Sequence, residues 1–530
     1  MFRASIRLPK GFSVALPHDA ALTSDFADYS AHYSVKDGVL LAERKMIVKK
    51  PKVTVEQWEE YRKFYKGVRS DQDQFLTLSE GGQTAAGNPE AQQLVYQAWQ
   101  SVQARDSNAA RDLLAQAERL NPEQAWLWST YAYVEMSSGN DYQAISDFQK
   151  EIEYHPDNNN AYNMLSELLI HAGRLDDAVG MWRSALSKAP GDDFIARRTA
   201  NTMMLAKRYA DLPAVLEKPI AAAPDKYDLQ VFRAEAWLRG GEKGRGVEEA
   251  RKIAKATSDP MLLNNLSFAL SDTDANIELA RELAEKAVNQ TEQDCAKAGL
   301  SSVDQGGLAR VNSLAAEWDT LGWAFFKDGE IAKAEKYADA AWQLGQHSAV
   351  ADHLGEIYYK QGRTDAAVHM WRLALASNSN QESAREHLRL AGAPIAAPVP
   401  VVKPSQHTRS SQAVRRVPYR VPSLVVSPAE ELGKLRTTAI PELPKQTGSA
   451  EFYLLVSQDG IQDVRFIGGS DSLKNAAREI RASKYKFPFP DAGSEKIVRR
   501  GILSCSNYTE PSCQLTLLLP STVGKDNGPN

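Results

Sequence analysis

Between residues 91 and about 390 the apolar positions recur at helical spacing, and the pattern itself repeats. Pro122, Pro156, Pro190 and Pro224 stand 34 residues apart. Each follows a run with apolar residues three and four apart, and proline cannot continue a helix. Aligned on these prolines, the chain falls into units 91–124, 125–158, 159–192 and 193–226. Each unit places a small residue at the same point of its first helix: Ala98, Ala132, Ser166 and Ala200. The second helices carry Ala110, Ala144 and Ala178, then Leu114, Phe148 and Trp182. Weaker units follow at 227–259 and 260–290. A stretch at 291–314 interrupts the period, and two strong units close the array. This predicts about eight helix pairs, none able to bury its apolar face alone, so neighbours stack into one continuous core. Trp182, Trp237, Trp318, Trp342 and Trp371 are read as part of that core.

The flanks follow another pattern. Before residue 80, apolar and polar residues alternate around Asp37-Gly38, a hairpin signal that places Val35, Val39 and Leu41 on one buried face. Pro51 ends the strand, and VTVEQWEEYRKFYKGV is predicted helical, with Trp58, Tyr61 and Phe64/Tyr65 along one side. Residues 391–425 are proline-rich and basic, with no acidic residue, the composition of an extended spacer. Such a segment is either a plain spacer or a contact for anionic polymer or lipid. From 426 to 520 the pattern predicts β-β-α-β-β: EFYLLVS, a turn at Asp459-Gly460, IQDVRFIGG, a helix over DSLKNAAREIRASKY capped by Asp471 or Ser472, then two final strands.

Length makes several domains the expectation: a β-rich segment at 1–80, a solenoid at 91–390, the linker at 391–425 and an α+β domain at 426–520. A net charge of −4 gives no electrostatic case for nucleic acid. No apolar run is long enough to cross a membrane. The first residues hold no continuous apolar stretch and are not read as a secretory signal. Either the mature chain stays in the cytoplasm or its true N-terminus lies upstream.

Candidate chemistry is sparse. The nine histidines are scattered, and no nucleophile elbow, Walker loop or H-E-x-x-H occurs. No cofactor and no metal site is expected, and the chain is read as non-enzymatic. Of the cysteines Cys295, Cys505 and Cys513, the last two flank a turn between the final strands. Paired strands would bring them within disulfide reach, which favours an oxidising compartment; two unpaired thiols are the alternative.

The repeat resembles the tetratricopeptide pattern, most fully in WDTLGWAFFKDGEIAKAEKYADAAW and DHLGEIYYKQGRTDAAVHMWRLAL. That resemblance implies a mainly α fold whose first helices line a peptide-binding groove through repeat positions 2, 5, 9 and 12. On this chain those positions are Trp126, Ser129, Tyr133 and Met136, then Asn160, Asn163, Glu167 and Ile170, then Phe194, Arg197, Asn201 and Met204. Trp126, Tyr133, Asn163, Glu167, Arg197 and Asn201 are the candidate peptide-binding residues, with solvated surface polarity as the plainer reading of the Asn and Arg side chains. Arg197 and Asn201 resemble half of the family's carboxylate clamp, but Phe232 stands where its next Asn belongs. The C-terminal stretch resembles the TonB C-terminal domain, carried by Asp459-Gly460, Val464 with Phe466, and Tyr485 and Phe487-Pro488. This implies binding by strand addition. Residues YSVKDGVLLAERKMIVKK and their continuation resemble the tail behind the transglutaminase-like domain of bacterial envelope proteins. Together these imply an interaction scaffold of the periplasm or cell envelope, alternatively cytoplasmic, that binds a protein or peptide partner. The other reading is the substrate-recruiting part of a transglutaminase-like enzyme whose catalytic domain lies elsewhere.

Overall fold

The fold is described from a computed structural model of the full chain. It describes the protein except residues 1, 9–11, 17–18, 51–52, 55–56, 73–76, 81–87, 298, 301–302, 304, 395–431, 433–435, 442, 444–445, 492–495, 507–511 and 521–530. Most of the expected linker therefore lies outside the described residues. Two compact units, Met1–Ala178 and Val179–Asn530, divide within one helix of the repeat array.

The first unit opens with β1 (Phe2–Arg7), β2 (Phe12–Ala15), β3 (Ala20–Thr23), β4 (Ala27–Lys36), β5 (Val39–Val48), α1 (Trp58–Gln72) and β6 (Thr77–Glu80). The order β1-β5-β4-β3 forms an antiparallel sheet, and β2 pairs with β6. Asp37 and Gly38 both have positive φ, 51° and 71°. That geometry belongs to the two-residue hairpin turn whose twist matches the strands. The turn sets Lys36 opposite Val39, so Val35 faces Leu40 and Leu41 faces Ser34. The buried face is thus Tyr29, Ala31, Tyr33 and Leu40; Val35 shares it but is 41% exposed at its end, whereas Val39 and Leu41 lie on the other face, Leu41 37% exposed. The expectation holds for the side on which Val35 lies and is off by one residue after the turn, where Leu40 rather than Val39 and Leu41 points inward, because side-chain direction reverses at every step. On α1, Phe64 and Val68 pack under the sheet with Phe26, while Trp58, Tyr61 and Tyr65 stack along the neighbouring side. Asp71 at the end of α1 is 2% exposed. It accepts from the hydroxyls of Tyr29 and Tyr33 at 2.5 and 2.8 Å, and Arg44 lies 2.9 Å away.

The array runs α2 (Pro89–Gln103), α3 (Ser107–Leu120), α4 (Leu127–Ser137), α5 (Asp141–Tyr154), α6 (Asn159–His171), α7 (Leu175–Lys188), α8 (Asp193–Leu205), α9 (Leu212–Ala222), α10 (Tyr227–Arg239), α11 (Lys243–Ala256), α12 (Pro260–Asp272), α13 (Ile277–Ala296), α14 (Gln305–Lys327), α15 (Ile331–Gly345), α16 (Ser348–Lys360), α17 (Thr364–Ser377) and α18 (Glu382–Leu390). These are tetratricopeptide-type helix pairs, α18 closing the row. Each of the four periodic prolines stands two residues past the end of a second helix. The residue before proline is driven out of the helical region, as the extended backbone of Asn121 and the non-helical one of Ala223 show.

Inside each pair the turn uses a left-handed residue. Arg105, Gly139, Gly173, Lys207 and Gly241 stand 34 apart, and Asp274, Gly329 and Gly362 continue the row, all with positive φ. A left-handed C-cap satisfies the last helix carbonyls, and glycine adopts it without steric cost. The small residues at the crossing are buried: Ala98, Ala132 and Ala200 are 0% exposed and Ser166 is 6%. At Gly355 an added Cβ would come 2.2 Å from Trp371 Nε1. Trp182, Trp318, Trp342 and Trp371 are core residues as expected. Trp237 is only half-buried, held between the guanidinium groups of Arg233 and Arg245 at 5.2 and 4.8 Å.

The interruption at 291–314 lengthens two helices, α13 to 20 residues and α14 to 23. The C-terminal sheet rests on this part. Its strands β7 (Thr437–Ala439), β8 (Gly448–Ser457), β9 (Gly460–Gly469), β10 (Lys496–Ser506) and β11 (Ser512–Leu517), with α19 (Ala477–Arg481), form the antiparallel order β7-β11-β10-β8-β9. The expected strand–helix order holds, with β7 added. The helix is shorter than expected: a single 3-10 turn at Asp471–Leu473 precedes five helical residues. Leu473, Ala476 and Ile480 still reach the core. The chain then runs on so that Phe487 and Phe489 meet Trp318, at ring separations of 6.0 and 6.1 Å. Tyr337 donates to Asp491, Arg465 donates to the Leu300 carbonyl at 2.7 Å, and Leu300, Leu308 and Val498 pack together. The domain shares one core with α14 and α15 rather than hanging from a tether.

Beneath this contact Glu317 is 2% exposed, bonded to Thr291, with Oε2 lacking any hydrogen-bond partner. Burial pushes its carboxyl from the ordinary 4.5 up to about 7, the Thr291 bond opposing. Because the folded value lies above the unfolded one, the stabilisation is whole below about 4.5 and is lost as pH rises through about 7. Glu317→Gln should therefore raise stability by about 1–3 kcal/mol at pH 8 and leave it unchanged at pH 4.5, read by chemical denaturation at both values. The turn positions supply a second test. Nothing lies within 4 Å of a Cβ added at Gly173, so Gly173→Lys should cost about 1 kcal/mol from backbone strain alone. Lys207→Gly should gain a similar amount in the same measurement.

Candidate functional site

The positions that the family pattern assigns to the groove are built differently in the two units. In the first, Trp126 is the N-cap of α4, with φ 69° and its side chain 47% exposed. Its backbone N–H donates to Glu151 Oε1 at 2.9 Å, and that of Ser129 donates to Oε2 at 3.1 Å. Asn158 Nδ2 adds a third donor at 3.0 Å. The buried Glu151 carboxylate thus caps α4, where a negative charge also suits the helix dipole. Ser129, expected on the groove, is instead fully buried. Tyr133 is half-buried, edge-on to Trp99 and Phe148 at 5.0 and 5.5 Å, and its hydroxyl donates to Asn160 Oδ1 at 2.8 Å. On α6, Asn163 is half-buried and Glu167 exposed. Trp126 and Glu167 are thus open to solvent, while Tyr133 is mostly engaged in packing.

In the second unit Arg197 and Asn201 are exposed on α8. Arg197 is already engaged: it lies 2.7 Å from Asp193 and 3.3 Å from Asp228, and Lys226 also reaches Asp193 at 3.2 Å. A ligand carboxylate at Arg197 would compete with two aspartates.

Farther along, α14 and α16 bring together side chains that the sequence left scattered. His353 Nδ1 lies 3.0 Å from both carboxylate oxygens of Asp319. Its ring stacks on Trp323 at 4.3 Å and meets Phe268 at 6.1 Å. Burial alone would push His353 down, but the Asp319 charge outweighs it and holds the imidazole up to about 8. Next to this pair, Asp352 and Glu356 on α16 face His387 on α18. Among the described residues these three could hold a metal ion. The signal that would have found them was the period itself, since Asp319 and His353 stand 34 apart and Asp352 and His387 stand 35 apart. Cys295 is a free, buried thiol, pushed up to about 12 by burial, which keeps it protonated and unreactive. Cys505 and Cys513 face each other across β10 and β11, Cα atoms 4.1 Å apart, and are joined as a disulfide.

Residues 1–78 match a family described as "Domain of Unknown Function with solved-structure structure (DUF3858)". Over 198 residues the chain is 27% identical to the TPR repeat-containing protein PA4667 of Pseudomonas aeruginosa, covering 36% of this chain and 29% of that protein. The chain thus spans less than a third of that relative's length. Among solved structures, a tetratricopeptide repeat protein from Parabacteroides merdae is 13% identical, with TM-score 0.39, covering 57% of this chain and all of that one. Yeast Tom70 is also 13% identical, with TM-score 0.35, covering 64% of this chain and 74% of its own.

Proposed function

We propose that this protein is a non-catalytic scaffold that holds an extended segment of a partner polypeptide against the first helices of its repeats. A helix-pair array of this type serves protein–protein interaction, and no helix among the described residues is long and apolar enough to cross a membrane. The observation that carries the groove reading is Trp126: a large indole left 47% exposed on a left-handed backbone. Strain of that kind persists where the surroundings enforce it, and it gathers at binding sites. An exposed indole supplies an apolar anchor, and Asn163 and Glu167 supply partners for peptide backbone or side chains in the first unit; Arg197 and Asn201 supply such partners on α8 of the second. The test is a pull-down with purified protein, comparing wild type with Trp126→Ala and, separately, Asn201→Asp. An anchor of this kind is worth at least about 2 kcal/mol, so Trp126→Ala should weaken retention of a given partner at least about tenfold. Equal retention by both variants would move attention to the outer edge of β9, where strand addition in the TonB manner is the finer alternative.

The periplasm or cell envelope is the proposed location, supported by the Cys505–Cys513 bond, because such bonds persist in oxidising compartments. Mass spectrometry of the native protein under non-reducing conditions should find one free thiol, Cys295; three free thiols would point to the cytoplasm. A second reading, in which the chain recruits substrate for a transglutaminase-like enzyme, rests on the resemblance of the N-terminal segment alone. An in-frame Cys-His-Asp domain in the upstream genomic sequence would support it.

A further inference from the structure

The last helix pair and α18 assemble three ligand-type side chains that the groove reading does not use. Asp352 and Glu356 are one turn apart on α16, which sets both carboxylates on one helix face. His387 approaches from α18. One oxygen or nitrogen from each residue lies within 4.8 Å of the other two. His387 Nδ1 is 2.8 Å from Asp352 Oδ1, and Nε2 is 3.7 Å from Glu356 Oε1. Asp352 is 3% exposed, and the Glu356 and His387 side chains are 31% and 24% exposed. The cluster is therefore walled in on most sides. Its open side is a cavity of about 230 Å³ lined by Phe326, Tyr359, Lys360, Trp371 and Leu390 beside Glu356 and His387.

We propose that Asp352, Glu356 and His387 bind a divalent transition-metal ion of the zinc class. Two carboxylates and a neutral imidazole carry two negative charges among the ligands, which a divalent cation offsets, with Lys360 on the wall of the cavity as a further cationic group. One nitrogen with two oxygens suits zinc and its neighbours, whereas calcium and magnesium take oxygen shells. Zinc sits about 2.0–2.2 Å from such ligands, so atoms around one ion can be at most about 4.4 Å apart. One ion takes a single ring nitrogen, so the two pairs serve alternative arrangements, through Nδ1 at 2.8 Å from Asp352 or through Nε2 at 3.7 Å from Glu356, and one atom from each residue lies within 4.8 Å of the other two. The widest separation closes with a shift of a few tenths of an ångström, within reach of the Glu356 torsions. The surroundings hold the ligands in place. Ser383 donates its hydroxyl to Asp352 Oδ2, and the Trp371 ring packs on His387 at 5.2 Å. Supporting contacts of this sort orient metal ligands. The cavity leaves a coordination position open to water or a further ligand, the arrangement of an accessible site rather than a closed structural one.

The competing arrangement is a protonated His387 bridging the two carboxylates with no metal. Isothermal titration calorimetry on the full chain, stripped with chelator at pH 7.5, separates the two. Titration with zinc chloride should show one ion per chain with micromolar or tighter affinity, not displaced by excess magnesium. Glu356→Gln and His387→Gln should each weaken it at least about tenfold, while His171→Gln, at an exposed histidine on α6, should bind as wild type. Circular dichroism melts in chelator establish that the variants fold. Should Glu356→Gln fail to fold, the His387→Gln titration alone decides. An absence of zinc binding by wild type, or equal affinity in folded His387→Gln, overturns the site and leaves the imidazolium bridge.

Discussion

The close crossing of two helices at a small residue is the constraint on which the rest depends. Where Ala98, Ala132, Ala200 and Gly355 stand, any bulk would separate the helices and open the apolar seam to water. Gly355 shows how little space there is, since its missing Cβ would overlap the Trp371 indole. The crossing lets Leu114, Phe148 and Trp182 disappear entirely from solvent, each such burial contributing roughly 1.5–3 kcal/mol. It also demands a sharp reversal between the helices, supplied by the left-handed residue of each turn, and a sharp stop after them, supplied in four units by proline.

The same surface explains how the C-terminal sheet is held. Trp318 occupies the tryptophan position of its repeat and is fully buried. Its ring is covered by Phe487 and Phe489, and its indole N–H donates to Glu292 at 2.8 Å. Because the interruption at 291–314 extends α13 and α14, there is helix surface left over for the sheet to cover. The unpartnered oxygen of Glu317 marks a burial that the local hydrogen bonds do not fully offset.

Charge is arranged at two levels. Glu151 in the first unit satisfies three donors and is structural, a cap built from a neighbouring helix. Asp319 with His353, and Asp352 with Glu356 and His387, are paired across consecutive repeats of the second unit. Repetition makes this possible, since a position facing the same way in adjacent units brings side chains one period apart within bonding distance.

The sequence alone determined the repeat, its phase and its core, because proline, small-residue and tryptophan spacings all encode local helix geometry that needs no distant partner. It also determined the Asp37-Gly38 and Asp459-Gly460 turns and the β-β-α-β-β succession of the C-terminal domain. It misjudged which residues of the second strand of the first hairpin point inward, Leu40 rather than Val39 and Leu41, since that depends on a one-residue register set by the turn. It also overlooked the left-handed residues at Arg105, Lys207 and Asp274, which no glycine marks. Only the tertiary structure decided that Ser129 is buried, that Arg197 is engaged by two aspartates, that the sheet packs on Trp318, and that Asp352, Glu356 and His387 meet. Most of these are contacts between different elements, and residue spacing within one helix does not say what packs against it from outside.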